Sequence, residues 1–159
     1  MTRTSLDHHN CSFARTVDVI GDRWSLMILR DAFFGIQRFS QFKLRLGITQ
    51  AVLSSRLSHL IEHELLRREA TDGEGAREEY RLTNKGRALF PAVVALMQWG
   101  DQWVHGDIGA PLVLLDRASG KAIDRLSVTA AGNVTGPQQI ALAAGPGATL
   151  ETRRLIAQA

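Results

Sequence analysis

The feature that most constrains the fold is a series of short helical segments separated by glycines in the first half of the chain. Apolar residues recur at helical spacing over residues 12–20, which predicts a first helix ended by Gly21. Asp22 can cap a second helix over residues 23–34, which Gly35 closes. Because this second helix is apolar on most sides, we expect it in the middle of a core.

Two more helices are predicted before the first strands. A short extended piece at residues 37–39 precedes a brief helix over residues 41–46, for which Ser40 is the expected cap. Thr49 caps a longer helix that we expect to run over residues 50–64, with leucines along one side. The opposite side carries small polar residues, so this face of the helix is slim.

A hairpin and a long helix complete this part of the chain. Residues 65–70 and 78–82 are predicted strands, and residues 72–75 form the turn between them. Thr83 caps a final helix over residues 84–105. This order of elements is that of a winged helix-turn-helix, an α+β fold. It runs helix, helix, short strand, helix, helix, strand, wing (the hairpin turn), strand and long helix.

From residue 106 onward the composition changes to glycine, alanine, threonine and valine. Strands are predicted at residues 112–115 and 123–129, with a third at 139–143, and the last twelve residues at the C-terminal end are expected to be a frayed helix or tail. We therefore divide the 159 residues into a DNA-binding and dimerisation domain, 1–105, and a small β-rich extension, 106–159.

The charge distribution supports a nucleic-acid partner more than the total charge does. The formal net charge is only +3. Yet no acidic residue occurs between Asp31 and Glu62, a window that holds several basic residues. A basic face is expected for nucleic-acid binding, although a solvated surface that lacks carboxylates fits equally well.

The predicted DNA-contacting residues lie around the fourth helix. A helix enters the major groove when its outward side chains are small enough for close approach. Basic side chains nearby would contact the phosphates, and Arg77, near the hairpin tip, would reach a minor groove or a phosphate. The full set is Arg38, Lys43, Arg45, Thr49, Gln50, Ala51, Ser54, Ser55, Arg56, Ser58 and Arg77.

Taken together, these segments resemble the HxlR family of bacterial transcriptional regulators, which are relatives of the MarR type. The resemblance covers roughly residues 11–103, and many spaced matches in the correct order make it specific. The matching segments are residues 11–12, 19–30, 38–42, 48–57, 77–83 and 86–89. One departure is the pair Gly75-Ala76, where the family usually has prolines before the wing arginine. We therefore expect a wing whose DNA contact is less preorganised.

The resemblance implies an obligate homodimer, built from the first and last helices, that binds a pseudo-palindromic operator. The apolar residues of these helices suit such an interface, although part of the last helix must also belong to the core. The expected interface residues are Phe13, Val17, Leu89, Val93, Leu96, Met97 and Trp103.

The extension is similar to the small zinc ribbon that many relatives carry after the last helix, but without its ligands. Residues 118–120 and 129–132 stand where cysteine knuckles would be. Zinc needs thiolate or imidazole ligands, and no cysteine or histidine follows His105. The sequence therefore predicts a metal-free appendage.

Cys11 is the one cysteine of the chain, so no intrachain disulfide can form. It lies at the start of a predicted helix near His8 and His9, where its thiol can become more acidic and act as an oxidation sensor. The family resemblance implies sensing of oxidants at this place in several members. The alternative is a small apolar residue packed at the dimer interface.

The sequence supports an enzyme less well than a DNA-binding protein. Residues 59–63 spell H-x-x-E-H, a pattern of one class of zinc peptidases, but they fall on the predicted recognition helix with no third ligand, which favours a solvated helix face.

The sequence contains no run of 18 apolar residues and no apolar signal segment, so we expect a cytoplasmic protein with no membrane partner.

The sequence thus predicts a dimeric transcriptional regulator that binds double-stranded DNA. We expect a repressor that a small-molecule or redox signal releases from its operator. We expect no enzymatic activity and no cofactor. The alternative is a small-molecule-binding protein that uses the extension and the long helix, with vestigial DNA binding.

Overall fold

The computed structural model describes residues 5–71 and 78–158. The chain forms two compact units, which divide between Val93 and Val94. The helices are α1 Ser12–Ile20, α2 Arg23–Phe33, α3 Phe39–Leu46, α4 Gln50–Glu62, α5 Asn84–Arg87, α6 Phe90–Trp103 and α7 Leu150–Ala157. The strands are β1 Leu66–Ala70, β2 Glu78–Leu82, β3 Thr129–Ala130 and β4 Asn133–Val134, and 3₁₀ turns occupy Gly106–Ile108 and Pro137–Gln139.

Side-chain caps and glycines fix the boundaries of the helices in the first unit. Asp22 Oδ1 accepts hydrogen bonds from the backbone N–H groups of Trp24 and Ser25, both at 3.0 Å, and so starts α2. Gly47 ends α3 in the left-handed conformation, with φ at 63°. Thr49 Oγ1 accepts the N–H of Val52 at 3.4 Å and starts α4, as its sequence predicts.

The core of the first unit lies where α2, α3, α4 and the hairpin meet. Its central side chains are fully or almost fully buried: Ile28, Leu29, Phe42, Leu53, Leu57, Leu60, Leu66 and Tyr80. The rings of Phe42 and Tyr80 meet edge to face, 6.4 Å between centroids. Each fully buried leucine stabilises the fold by about 1.5–3 kcal/mol, so this cluster holds α4 firmly by one face.

The hairpin is antiparallel and in the register Leu66 opposite Leu82 and Arg68 opposite Tyr80. The extended piece predicted at residues 37–39 is not a full strand. It contributes one ladder-type bond, from the N–H of Tyr80 to the carbonyl of Gln37 at 2.7 Å. This bond ties the connection between α2 and α3 to the middle of β2.

Three predicted helix boundaries are wrong, and those of α3 and α4 have a local cause. α3 begins at Phe39 rather than at residue 41, because Gln41 Oε1 reaches back to the N–H of Arg38 at 3.1 Å and makes Arg38, not Ser40, the capping position. α2 ends at Phe33, one residue early. α4 ends at Glu62 rather than at residue 64, because Glu64 turns to a positive φ of 58°.

The predicted helix over residues 84–105 is in fact two helices, α5 and α6, with a break at residues 88–89. Pro91 explains the break. In a continuous helix Pro91 could not donate a hydrogen bond to the carbonyl of Arg87, and its ring would clash with that carbonyl. Within the first turn of a new helix that begins at Phe90, the missing N–H costs nothing.

The extension within the second unit is less regular than predicted. The two strands expected at residues 112–115 and 123–129 reduce to a single bridge between Leu115 and Ala122, with β3 beginning at the last residue of the predicted span. No strand covers residues 139–143, but the expected terminal helix is present as α7, capped by Thr149. β3 and β4 pair around Ala131 and Gly132, both at positive φ.

Side-chain amides of α6 hold the extension in place within this unit. Gln98 donates through Nε2 to the carbonyl of Asp124 at 3.0 Å and accepts through Oε1 from the N–H of Leu126 at 2.8 Å. Arg125 donates to the side-chain oxygen of Gln102. The extension is therefore fastened to α6 mainly by polar contacts. No helix within the described ranges is long and apolar enough to cross a membrane.

Candidate nucleic-acid interface

The exposed face of α4 is the centre of the candidate interface. Its outward residues over positions 50–58 are small or uncharged: Gln50, Ala51, Ser54, Ser55 and Ser58; Glu62, in the last turn, is also exposed. The opposite face is pinned, since Leu53, Leu57 and Leu60 are at most 1% exposed. A slim polar face on a rigidly held helix can approach base edges in a major groove closely, and the serine hydroxyls can donate or accept hydrogen bonds there.

The basic residues near α4 are less free than the sequence suggests. The window without acidic residues is matched in space by carboxylates from outside it. Arg38 Nε lies 3.6 Å from Glu79 Oε1 on β2, and Arg45 Nε lies 3.2 Å from Asp31 Oδ2 on α2. The basic face is therefore only partly uncompensated.

Asp31 is a buried anchor for two arginines. Its carboxylate is fully buried, and its Oδ1 accepts a 2.7 Å bond from Arg30 while Oδ2 faces Arg45. A buried carboxylate needs such partners, because burying it alone would be very costly. Arg45 keeps nearly half of its side chain exposed, so its remaining N–H donors can still reach a phosphate. Lys43, in the last turn of α3, is also exposed.

Arg56 lies on a flank of α4, away from the serine face. Its Nη1 is 3.6 Å from Asp22 Oδ2 at the start of α2. Burial raises the pKa of the Asp22 carboxyl, but hydrogen bonding by Ser25 and Trp24 and the charge of Arg56 outweigh burial, so the pKa lies below its ordinary value. The position of Arg56 suits a phosphate contact rather than a base contact.

The wing is only partly described. Arg77, predicted to reach the DNA, lies outside the described residues together with the turn at 72–76. Two exposed arginines on β1, Arg67 and Arg68, were missed by the sequence reasoning. The guanidinium of Arg68 lies 5.7 Å from the ring centroid of Tyr80. The signal for them was present, since residues 65–70 are a predicted strand of the hairpin and include both arginines.

The residues predicted for dimerisation differ in exposure. Phe13 on α1 and Leu96 and Trp103 on α6 are more than half exposed, whereas Val93 is buried. Val17, Leu89 and Met97 are intermediate. Trp99, which was not among the predicted interface residues, is also more than half exposed. Leu96, Trp99 and Trp103 fall on one stripe of α6 at helical spacing.

Cys11 and the H-x-x-E-H segment at residues 59–63 both lie in the described part of the structure. Cys11 is exposed and occupies the N-cap position of α1, where it makes no side-chain capping bond. His59 Nε2 lies 2.8 Å from the carbonyl oxygen of Val19, so this nitrogen is committed to a protein partner. Over residues 5–71 and 78–158, no three histidine, cysteine or acidic side chains converge so as to hold a metal ion.

Comparison with known proteins places this geometry in a family. The HxlR-like helix-turn-helix family matches residues 19–107. The chain is 42% identical over 137 residues to Rv3095 of Mycobacterium tuberculosis, an uncharacterised helix-turn-helix-type transcriptional regulator, and the match covers 86% of this chain and 87% of the relative. YvaP of Bacillus subtilis, described in the same words, is 33% identical over 58% of this chain and 86% of its own.

Solved structures agree with this assignment. PA1607, a proposed transcription factor, superposes with a TM-score of 0.83 at 40% identity, covering 88% of this chain and 99% of its own. The redox regulator HypR in its oxidised form gives a TM-score of 0.53 at 33% identity, over 57% of this chain and 94% of its own. The chain therefore belongs to the HxlR-like helix-turn-helix family, and it is a DNA-binding transcriptional regulator.

Proposed function

We propose that the protein acts as a homodimeric repressor that binds a pseudo-palindromic operator and is released by a small-molecule or redox signal. The observation that carries the DNA-reading part is the slim serine face of α4, presented by a helix whose other face is locked into the core. Each protomer would place α4 in a major groove, so the two half-sites lie about one helical turn, roughly 34 Å, apart.

The contacts divide by chemistry. Thr49, Gln50, Ala51, Ser54, Ser55 and Ser58 would face the base edges, and the basic residues Arg38, Lys43, Arg45, Arg56 and Arg77 would contact phosphates. Ion pairs such as Arg45 with Asp31 hold a guanidinium in place before DNA arrives, which lowers the entropy cost of binding. Because the phosphate contacts release counterions, the affinity should fall steeply with salt.

Dimerisation is supported by apolar side chains that a single chain leaves exposed. Leu96, Trp99 and Trp103 form a stripe on α6, and Phe13 is 77% exposed on α1. Large exposed apolar groups of this kind are typical of protein interfaces, and tryptophan is enriched among interface hot spots. A two-fold dimer would match the symmetry of a pseudo-palindromic operator.

Cys11 is the proposed redox sensor. Its thiol is exposed at the N-cap of α1, and the chain resembles the redox regulator HypR. Peroxide would convert the thiolate to a sulfenic acid, which can condense with a second thiol. We expect peroxide to block iodoacetamide labelling of Cys11 and to weaken promoter binding, and Cys11→Ser to abolish the response. Unchanged DNA affinity of the oxidised protein would contradict a sensing role.

A gel-shift assay tests the DNA-reading face directly. A fragment upstream of the protein's own gene is compared with a random fragment of the same length. Ser55→Glu puts a negative charge on the exposed face of α4 and should weaken promoter binding at least about tenfold, because a carboxylate would meet phosphates and base acceptors. Ser127→Glu, an exposed serine of the extension, is the matched control and should bind like the unchanged protein.

The salt dependence gives a second reading of the same assay. The slope of log affinity against log salt should be several units for the unchanged protein. Equal affinity for promoter and random DNA, or full binding by the Ser55→Glu variant, would contradict the proposed reading face.

A further inference from the structure

A cavity of about 790 Å³ lies between the N-terminal segment, α1 and α4, on the flank of α4 away from the serine face. Its position matters because one of its walls belongs to the recognition helix. Arg56, His59 and His63 line it from α4 and its C-cap, and these positions are three and four residues apart, so they share one flank. The serine face of α4 points elsewhere, and Arg56, proposed above as a phosphate contact, is the residue that the two surfaces share.

His59 is held in place by the opposite wall. Its Nε2 lies 2.8 Å from the carbonyl oxygen of Val19 on α1, and since a carbonyl only accepts, Nε2 must carry the hydrogen. The ring of His63 packs edge to face on that of His59, with 4.5 Å between centroids. This contact orients His63 at the rim of the cavity, so the histidines are positioned by packing rather than left free.

The third wall is a short segment, residues 5–10, that is tied to α1. Asp18 Oδ2 accepts a hydrogen bond from Ser5 Oγ at 2.7 Å and one from the N–H of Leu6 at 3.1 Å. Arg15 Nε donates to the carbonyl of His9 at 3.2 Å. These bonds bring His8 into the lining of the cavity.

The hydrogen-bond donors of the lining suit an anion. Arg15 from α1 and Arg56 from α4 both line the cavity, and each guanidinium has five N–H donors, of which the described contacts use only some. Two carboxylates, Asp7 and Asp18, line it as well, and Asp18 Oδ2 already accepts two hydrogen bonds from the segment. Arginines in this arrangement bind carboxylate and phosphate groups through paired hydrogen bonds.

We infer that this cavity binds a small-molecule dianion, a dicarboxylate or a phosphate, and that its occupancy weakens operator binding. A ligand held by Arg15 and Arg56 would contact α1 and α4 together and so favour one placement of the recognition helix. The regulatory part rests on the proposed function, since it names the site of the small-molecule signal. The binding part does not.

Isothermal titration with succinate, and separately with inorganic phosphate, tests the binding part at ionic strength held constant with sodium chloride. One of the two probes should bind saturably at one site per chain, and which one binds distinguishes a dicarboxylate from a phosphate ligand. Arg15→Gln removes one guanidinium and should weaken that binding about tenfold or more. Arg23→Gln is the matched control, because Arg23 lies over the ring of Trp24 and outside the cavity.

His63→Gln is a second variant that keeps the helix cap region polar and should also weaken probe binding. No saturable heat with either probe, or equal binding by the Arg15→Gln and Arg23→Gln proteins, would overturn the inference.

The promoter gel shift, repeated with the bound probe, tests the regulatory part. The probe should weaken DNA binding of the unchanged protein but not of Arg15→Gln, and chloride at the same ionic strength should have no such effect. If Arg15→Gln weakens DNA binding when no probe is present, the cavity holds a DNA phosphate and the effector proposal fails. If no promoter binding occurs at all, the proposed function fails, while the titration still decides the anion site.

Discussion

Asp22 connects two helices of the first unit, α2 and α4, through one carboxylate. It caps α2 through Oδ1 and faces Arg56 of α4 through Oδ2. α4 is thereby joined electrostatically to the start of α2. Since the pKa of Asp22 lies below its ordinary value, the charged form is favoured by the folded state, and the charge stabilises the fold.

Asp22→Asn tests the contribution of the Asp22 charge to stability apart from that of the helix cap. Asparagine is as good an N-cap as aspartate, so this variant keeps the cap and loses the negative charge, which strengthens the hydrogen bonds from Ser25 and Trp24 and attracts Arg56. At a pH above the unfolded-state pKa of Asp22, about 3.8, the unchanged protein should be more stable than the variant. As the pH falls through the lower folded pKa, Asp22 becomes protonated and the difference should vanish. Urea unfolding of both proteins between pH 7 and pH 3 measures this, and a difference that persists at low pH would contradict the role given to the charge.

Residues whose partners are close in sequence could be predicted, whereas those with distant partners could not. The caps Asp22, Thr49 and Thr83 bond to N–H groups within three residues, so the local pattern identified them. The pairing of Arg38 with Glu79 depends on how the hairpin folds back onto α3. For this reason the acid-free window overstated the positive charge of the interface.

At the scale of elements, the junction of α4, β1 and α5 fixes how the wing is attached. Thr83 donates from Oγ1 to the carbonyl of Glu64 at 2.6 Å, and its N–H donates to the carbonyl of Leu65 at 3.1 Å. Gly86 then packs directly on this backbone. A Cβ at Gly86 would lie 2.1 Å from the carbonyl oxygen of Leu65, so only glycine fits.

Gly86→Ala should therefore lower the free energy of unfolding by about 1–3 kcal/mol, the usual cost of forcing an extra methyl group into a tight contact. Gly100→Ala in α6 is the matched control, because no atom outside the neighbouring helical backbone lies within 4 Å of the added Cβ. Alanine is the better helix former, so the control should be more stable by roughly 0.5–1 kcal/mol. Thermal or urea unfolding measures both, and equal effects would show that the contact at Leu65 is not tight.

The elements of the extension could be predicted only in outline. The tight turns at residues 118–120 and 131–133 have glycine signals that sequence reasoning uses. The strands between them are held by few ladder bonds and by the amide of Gln98, a long-range contact that periodicity does not reveal. Their lengths were accordingly overestimated.

At the scale of the whole molecule, the proposed dimer would cover apolar side chains that are exposed in a single chain. Leu96→Asp combined with Trp103→Asp places charge on the stripe of α6 and should shift the protein from dimer to monomer in sedimentation at micromolar concentration, because buried unpaired carboxylates are costly. Leu44→Asp, at an exposed leucine of α3, is the control and should stay dimeric. A monomeric unchanged protein, or a variant that remains a dimer, would contradict the proposed interface.

The central claim is that the exposed face of α4 reads an operator. A genome-wide map of bound DNA, made in cells that carry the unchanged protein, Ser55→Glu or Ser127→Glu, tests it most directly. We predict peaks that contain pseudo-palindromic sites with half-sites one helical turn apart, retained by Ser127→Glu and lost by Ser55→Glu. Peaks that survive unchanged in the Ser55→Glu strain, or the absence of specific peaks for the unchanged protein, would contradict the account.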